Sequence, residues 1–226
     1  MSKECRVLKL GQCDYQEAYA LQKQLLCRRV EKSIPDTLMM LQHPPVFTIG
    51  RRGSRKNILV STEILYREGI LVYDTDRGGD ITYHGPGQIV SYPILDLNQH
   101  GKDVHRIISL YEEVILRLLA RYGIDGQRVS RYPGVWVSGE KICALGIGVS
   151  NWVTYHGFAL NVNTNLNHFG YITPCGLIGM GVTSMEKVLG RKLDETRVAG
   201  DLARLFGEVF DLVMKNGDRK QETESV

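Results

Sequence analysis

One thiol in this chain is flanked unlike the others. Thr173-Pro174-Cys175-Gly176 sets Cys175 between a residue of fixed φ and one without a side chain, which holds a sulfur on a tight, accessible turn. A nucleophilic cysteine acts as its thiolate, and a nearby cation lowers the thiol from its usual pKa of about 8.5. The sequence offers two kinds of partner. One is an imidazole, from His84 or His156. The other is the ammonium of Lys141, which opens the otherwise apolar run Ile142-Cys143-Ala144-Leu145-Gly146. On strand context alone Lys141 reads as a snorkelling edge residue, with a functional amine as the alternative. Cys5, Cys13, Cys27 and Cys143 read as inert small hydrophobes.

The second unusual stretch is Arg77-Gly78-Gly79-Asp80-Ile81-Thr82-Tyr83-His84-Gly85-Pro86-Gly87-Gln88. Its glycines let backbone approach a ligand or adopt positive φ, and Arg77, Tyr83 and His84 supply polar handles. Neither a phosphate-cradling Gly-Lys-Ser/Thr nor a GxGxxG pattern is present. A hairpin turn is the simpler reading, but such a turn needs only one or two glycines. Arg51, Arg52, Arg55 and Lys56 form a local basic cluster without interleaved aromatics, so it reads as a solvated loop or an anionic-protein contact rather than a nucleic-acid groove.

Composition bounds these options. The chain has 226 residues, 43% hydrophobic and 23% charged, with a net charge of +3, too slight to indicate a nucleic-acid binder. No apolar run approaches the roughly 20 residues of a membrane span. The opening MSKECRVLKL lacks the apolar core of a secretory leader. Five cysteines without CxxC spacing argue against a disulfide scaffold or structural zinc and for reduced thiols in the cytoplasm.

The elements that must position these residues follow from periodicity. A first helix is expected over 14–32, capped by Asp14, then short strands at 37–42 and 46–49 interrupted by Pro44-Pro45. A short helix over 61–67, strands at 70–73 and 89–95, and a long helix over 104–122 ended by Gly123 come next. Strands at 134–137 and 141–149 join through Ser138-Gly139-Glu140 as a hairpin, and 154–161 adds another strand. Thr183 and Glu186 open a short helix closed by Gly190, and Asp194 caps a last helix whose stripe runs Val198, Leu202, Leu205, Val209, Val213. The pattern predicts an α+β fold, a mixed β-sheet flanked by helices with a small helical appendage. One domain is expected over 1–216, with a flexible polar tail over 217–226.

Taken together, several blocks resemble the lipoyl(octanoyl) transferase family. They are His43-Pro44-Pro45-Val46-Phe47-Thr48-Ile49-Gly50-Arg51-Arg52-Gly53, the 77–88 stretch, Gly134-Val135-Trp136, Gly139-Glu140-Lys141-Ile142, His156-Gly157-Phe158-Ala159-Leu160-Asn161-Val162, Pro174-Cys175-Gly176 and Gly181-Val182-Thr183-Ser184. The resemblance implies a catalytic domain like that of biotin and lipoate protein ligases. It also implies transfer of an octanoyl group from octanoyl-acyl carrier protein to a lysine of lipoyl domains of 2-oxoacid dehydrogenases or of the glycine-cleavage H protein. Carried over, Cys175 is the acyl-enzyme nucleophile and Lys141 its pKa-lowering partner. Arg77, Gly78, Gly79, Asp80, Ile81, Thr82, Tyr83 and His84, with Ala144, Leu145, Gly146, Gly157, Phe158 and Ala159, line the substrate site. No metal, cofactor, nucleic acid or membrane is expected to take part.

Donor and acyl-enzyme are both thioesters, so exchange needs no ATP, and the amide product supplies the driving force. Burying about six methylenes at roughly 0.8 kcal/mol each offers about 5 kcal/mol of binding in an apolar slot. The slot is expected to be lined by Gly78, Gly79, Gly146 and Gly157, with Tyr83 and His84 at its rim. Two other functions are weighed: an ATP-dependent lipoate or biotin protein ligase on the same scaffold, and a catalytically silent carrier-binding module.

Overall fold

The computed structural model describes residues 3–130, 132–173 and 181–218. In chain order the elements are β1 (Lys3–Gln12), α1 (Tyr15–Val30), β2 (Asp36–Gln42), β3 (Val46–Ile49), α2 (Thr62–Arg67), β4 (Leu71–Asp74), β5 (Ile81–His84) and β6 (Gln88–Ile94). Then follow α3 (Val104–Arg121), β7 (Gln127–Val129), β8 (Tyr132–Val137), β9 (Glu140–Ser150), β10 (Val153–Asn161), α4 (Met185–Leu189), α5 (Glu195–Phe210) and β11 (Leu212–Asn216). Among the described residues, eight strands form one mixed sheet in the order β11-β1-β2-β6-β10-β9-β8-β7, and β4-β3-β5 form a second, three-stranded sheet.

The large sheet buries two unlike faces. On one, α3 and α5 pack their apolar stripes against Leu38, Ile89, Phe158, Leu160 and Val162. On the other, α1 covers Val90, Tyr92, Tyr155 and Ala159. The second sheet has a smaller core of its own around Phe47, Ile81 and Tyr83. The helical caps are local: Asp14 accepts from the Gln16 and Glu17 amides, Asp103 from His105 and Arg106, and Asp194 from Thr196 and Arg197.

The α+β class and mixed sheet match the sequence expectation, with four local differences. The glycine-rich stretch is not one loop, because Ile81–His84 pairs antiparallel with β3. Ser184 rather than Thr183 caps α4, its side chain accepting from Lys187 N. Among the described residues no separate helical appendage forms, since α5 packs on α3 within the main core. The last helix stops at Phe210, where Asp211 takes a left-handed φ of 54°. Leu212–Asn216 then pairs in parallel with β1. Val213 fits the helical stripe by spacing, but Leu212 and Met214 face the core while Val213 is 43% exposed, a period of two that five residues cannot display against a 16-residue helix. The Gly217 amide still donates to Val7 O at 3.0 Å, so the ordered chain enters the expected tail.

Candidate active site

A cavity lies between the α1 face of the large sheet and the small sheet. Its floor is built in cross-strand rows. Gln88 faces Asn161, Val90 faces Ala159 with Ala144 beyond, and Gly157 faces Gly146. Small residues thus run down the middle of three adjacent strands, leaving a trough. The cavity is also lined by Arg77, Gly79, Asp80, Ile81, Thr82 and His84 from the segment that carries β5.

Two glycines on the floor serve close approach rather than free space. A Cβ on Gly157 would sit 2.2 Å from Ser91 O, and one on Gly146 would sit 2.8 Å from Gly78 O. The second contact is where the Arg77 loop rests on β9, fixed by the Gly78 amide donating to Ile147 O at 2.9 Å.

Arg77 is buried, and its Nε and Nη2 donate to Thr48 Oγ1 at 3.1 and 3.0 Å. Thr48 Oγ1 lies 3.4 Å from His84 Nε2, and His84 Nδ1 lies 2.7 Å from Gln88 Oε1. Gln88 Nε2 donates to Asn161 Oδ1 at 2.9 Å, and Asn161 Nδ2 to Thr183 O at 3.0 Å. A continuous polar chain therefore runs from the guanidinium to the segment beside Lys141. Full burial holds the His84 pKa well below the usual imidazole value, and the neighbouring His43 adds to that. His43 itself, between Cys13 O at 2.7 Å and Tyr92 Oη at 2.8 Å, is pushed down to about 4 by burial.

Lys141 is not an edge residue. It faces Trp136 on β8 and bridges Val182 on its other side, its amide donating to Gly181 O at 2.9 Å. A two-residue Ser138-Gly139 turn, both at positive φ, sets the Trp136 pairing. The register then slips by one residue, so that Val135 faces Cys143 and Ile142 is the bulge residue. Bulges re-aim side chains. Here Ile142 and Cys143 both enter the core while Lys141 lines the cavity. Its Nζ lies 4.7 Å from the Trp136 ring centroid and 3.4 Å from Pro133 O.

Cys175, with its neighbours Pro174 and Gly176, lies outside the described residues. Of the two imidazoles weighed against Lys141, His84 is held between Gln88 and Thr48, and His156 Nε2 sits 2.8 Å from Asp76 Oδ1. Both rings line the cavity with those contacts made. Among the expected lining residues, Gly78 and Tyr83 stand apart. Tyr83 is in the small core, its Oη 2.8 Å from His168 Nδ1, so it is not at the rim. The basic loop lies alongside: the Gly50, Arg51 and Arg52 amides donate to Asp80, Arg77 and Gly79 carbonyls, and the side chains of Arg51, Arg52, Arg55 and Lys56 are exposed.

The sequence did not single out Thr48, Asp76, Gln88, Asn161 or Trp136 for a role, nor Tyr15 and Tyr92, which also line the cavity. Trp136 was missed because the expected turn, Ser138-Gly139-Glu140, is one residue too long; the two-residue turn Ser138-Gly139 is what sets Trp136 against Lys141.

Residues 14–207 match the lipoyl protein ligase A/B catalytic domain family. Among similar proteins, the octanoyltransferase of Caldicellulosiruptor saccharolyticus is 53% identical over 210 residues, covering 90% of this chain and 89% of that protein. The octanoyltransferase of Desulforamulus reducens is 47% identical over 221 residues, 97% of each. A bi-partite lipoate protein ligase from Thermoplasma acidophilum shares the fold, with a TM-score of 0.74 at 17% identity, over 98% of this chain and 90% of that one. The chain belongs to the lipoyl protein ligase A/B catalytic domain family and, within it, to the octanoyltransferases.

Proposed function

We propose that this chain moves an octanoyl group from octanoyl-acyl carrier protein through a thioester on Cys175 to a lysine of a lipoyl-bearing protein. The observation that carries the reading is the bulge in β9, which sends one amine into a cavity whose two histidines are already engaged. Octanoyltransferase relatives at up to 53% identity support the acyl group named.

In the first step the Cys175 thiolate attacks the donor carbonyl, and the carrier thiol leaves with a proton. In the second the acceptor amine attacks the new thioester, forms the amide and restores the thiolate. Lys141 holds the thiolate in its anionic form and relays protons as each tetrahedral adduct collapses. Trp136 and the Pro133 carbonyl orient its ammonium. Cys143 does not compete as nucleophile: it is fully buried, and burial drives its thiol pKa far up. Arg51, Arg52, Arg55 and Lys56 border the slot as a cationic surface for an acidic carrier, and the lipoyl domains of 2-oxoacid dehydrogenases and the glycine-cleavage H protein are the acceptors. The four described cysteines are all free thiols, in keeping with a cytoplasmic setting, and no described helix is long and apolar enough to cross a membrane.

Mixing the protein with octanoyl-carrier should add one octanoyl mass, labile to hydroxylamine. Cys175→Ala should remove it, and Lys141→Ala should slow transfer about 100-fold or more. Full activity of Cys175→Ala, or transfer that depends on ATP, would overturn the route.

A further inference from the structure

The slot has two unlike ends. At one, Lys141 is half-buried and Gly181 exposed. At the other, Tyr15, Tyr92 and His156 retain 5% of their surface or less. The floor between them runs from Asn161 to Gly157 along β10, about 13 Å at roughly 3.3 Å per residue. An extended eight-carbon chain is about 10 Å long at ordinary bond lengths. What closes the far end therefore sets how long a chain fits.

His156 is the residue held there most firmly. It takes φ 55° in the middle of a strand, a conformation that non-glycine residues rarely adopt. The kink is secured on both sides. Its backbone amide donates to Gln22 Oε1 on α1 at 2.8 Å, and its ring Nε2 meets Asp76 Oδ1 at 2.8 Å. Asp76 is in turn held by Tyr155 Oη at 2.8 Å and Lys23 Nζ at 3.0 Å. The ring stacks on Tyr19 at 5.6 Å and meets Tyr92 edge-on at 6.3 Å. Beside it lies the Gly157–Gly146 row, narrowed by Ser91 O against Gly157 and by Gly78 O and Arg77 against Gly146, so the slot has no spare width where the ring closes it. Asp76 also precedes Arg77, so the same bond ties the Arg77 loop to the large sheet.

We propose that His156 is a specificity-determining residue whose ring, clamped by Asp76, closes the far end of the acyl slot and fixes the longest straight chain it admits. The proposal rests on the octanoyl-transfer reading above and deepens it. His156 does not touch the reacting carbonyl, because four or more strand residues separate it from the Lys141 end.

The test is the kcat/KM of the full chain with C6, C8, C10 and C12 acyl-carrier donors and a lipoyl-domain acceptor. His156→Gly removes the ring and accepts a left-handed φ without strain, so the strand is retained. The floor of about 13 Å already holds about ten extended carbons, so the C12-to-C10 ratio should rise about tenfold as two further methylenes become buried. Asp76→Asn keeps the ring but loosens it, and should raise the ratio about threefold. His156→Asn, which also tolerates positive φ, serves if the glycine variant does not fold, and should likewise favour the longer donor. A length profile identical to wild type in these variants, or a loss of equal size at every length, overturns the proposal while leaving octanoyl transfer standing. Failure of the wild type to transfer any acyl group overturns both.

Discussion

Two histidine–carboxylate pairs in this molecule look alike and do different things. His100 Nε2 lies 2.6 Å from Asp36 Oδ2, and His156 Nε2 lies 2.8 Å from Asp76 Oδ1. Around Asp36 the remaining acceptor sites are filled from within: Arg29 Nε donates at 2.8 Å and the Asp96 amide at 3.0 Å, with Arg29 also 3.6 Å from Asp96. None of those residues lines the cavity. The Asp36 cluster ties α1 to β2 and to the chain after β6, and its contribution ends there. Asp76 is about a third exposed and is backed by a half-exposed lysine, yet its histidine and the arginine beside it both face the slot. Short contacts and burial thus do not identify a site; what the same groups present on their far side does.

The largest effect expected from this contrast is on stability. Arg29→Met strands the Asp36 and Asp96 carboxylates in the interior without their guanidinium and should cost about 3–5 kcal/mol by denaturant titration. The equivalent change at the other pair, Lys23→Met, removes a partner open to solvent and should cost less than about 1 kcal/mol. The folded fraction of Arg29→Met should keep the wild-type acyl-length profile. A changed profile would mean that the Asp36 cluster also shapes the slot.

The histidines and the carboxylates should also separate in pH. Asp76 is held far below the usual carboxylate value by its bond to His156, so it contributes to the lower range together with Asp36. His43, on the site side, has a folded pKa of about 4 against 6.5 for the free side chain. Between those values the unfolded chain binds more protons. The stability is therefore complete above pH 6.5 and falls as pH drops to 4, by about 3 kcal/mol. His84 and His156 are depressed in the same direction by burial and act in the same window. Asp36 is held below the usual carboxylate value by His100 and Arg29, despite the opposing cost of burial. Its contribution is present above a pH of about 3.9 and is lost only below that. Stability measured against pH should show two falls, the upper flattened by His43→Gln and the lower by Asp36→Asn. A single fall unaffected by His43→Gln would break the distinction.

Sequence reasoning reached the contrast unevenly. Helices α1, α3 and α5 were legible because caps and apolar stripes lie within the segment itself. The β8–β9 hairpin was legible as a hairpin but not in its register, since Glu140 belongs to the strand and pairs with Val137 rather than lying in the turn. β11 was not, since a five-residue strand following a helix shows its partner only in three dimensions. The same holds for the site. Lys141 and the glycines could be found by type and neighbours, whereas Asp76, Thr48 and Gln88 matter through bonds to residues 80, 29 and 73 positions away. The Ile142 bulge depends on where the apolar pair Ile142-Cys143 must be buried, and local propensity does not encode it.

The smallest effect concerns Thr48, which joins the two ends of the site network. Its hydroxyl accepts from Arg77 twice and faces the lone pair of a neutral His84. Thr48→Val preserves the shape and the β-branched strand preference but removes that acceptor. The guanidinium keeps two carbonyls, Gly78 O at 3.0 Å and Thr48 O, so the charge is not abandoned. Both guanidinium bonds to this one oxygen are lost together with its contact to His84, which should cost about 2 kcal/mol of stability. KM for the octanoyl donor should rise several-fold as Arg77 loosens over the floor, with kcat little changed because Lys141 lies at the other end of the chain of bonds. The C12-to-C10 ratio should stay near wild type, since the Asp76–His156 bond is untouched. If the ratio moved as far as in His156→Gly, Arg77 rather than His156 would be the wall that measures the acyl chain.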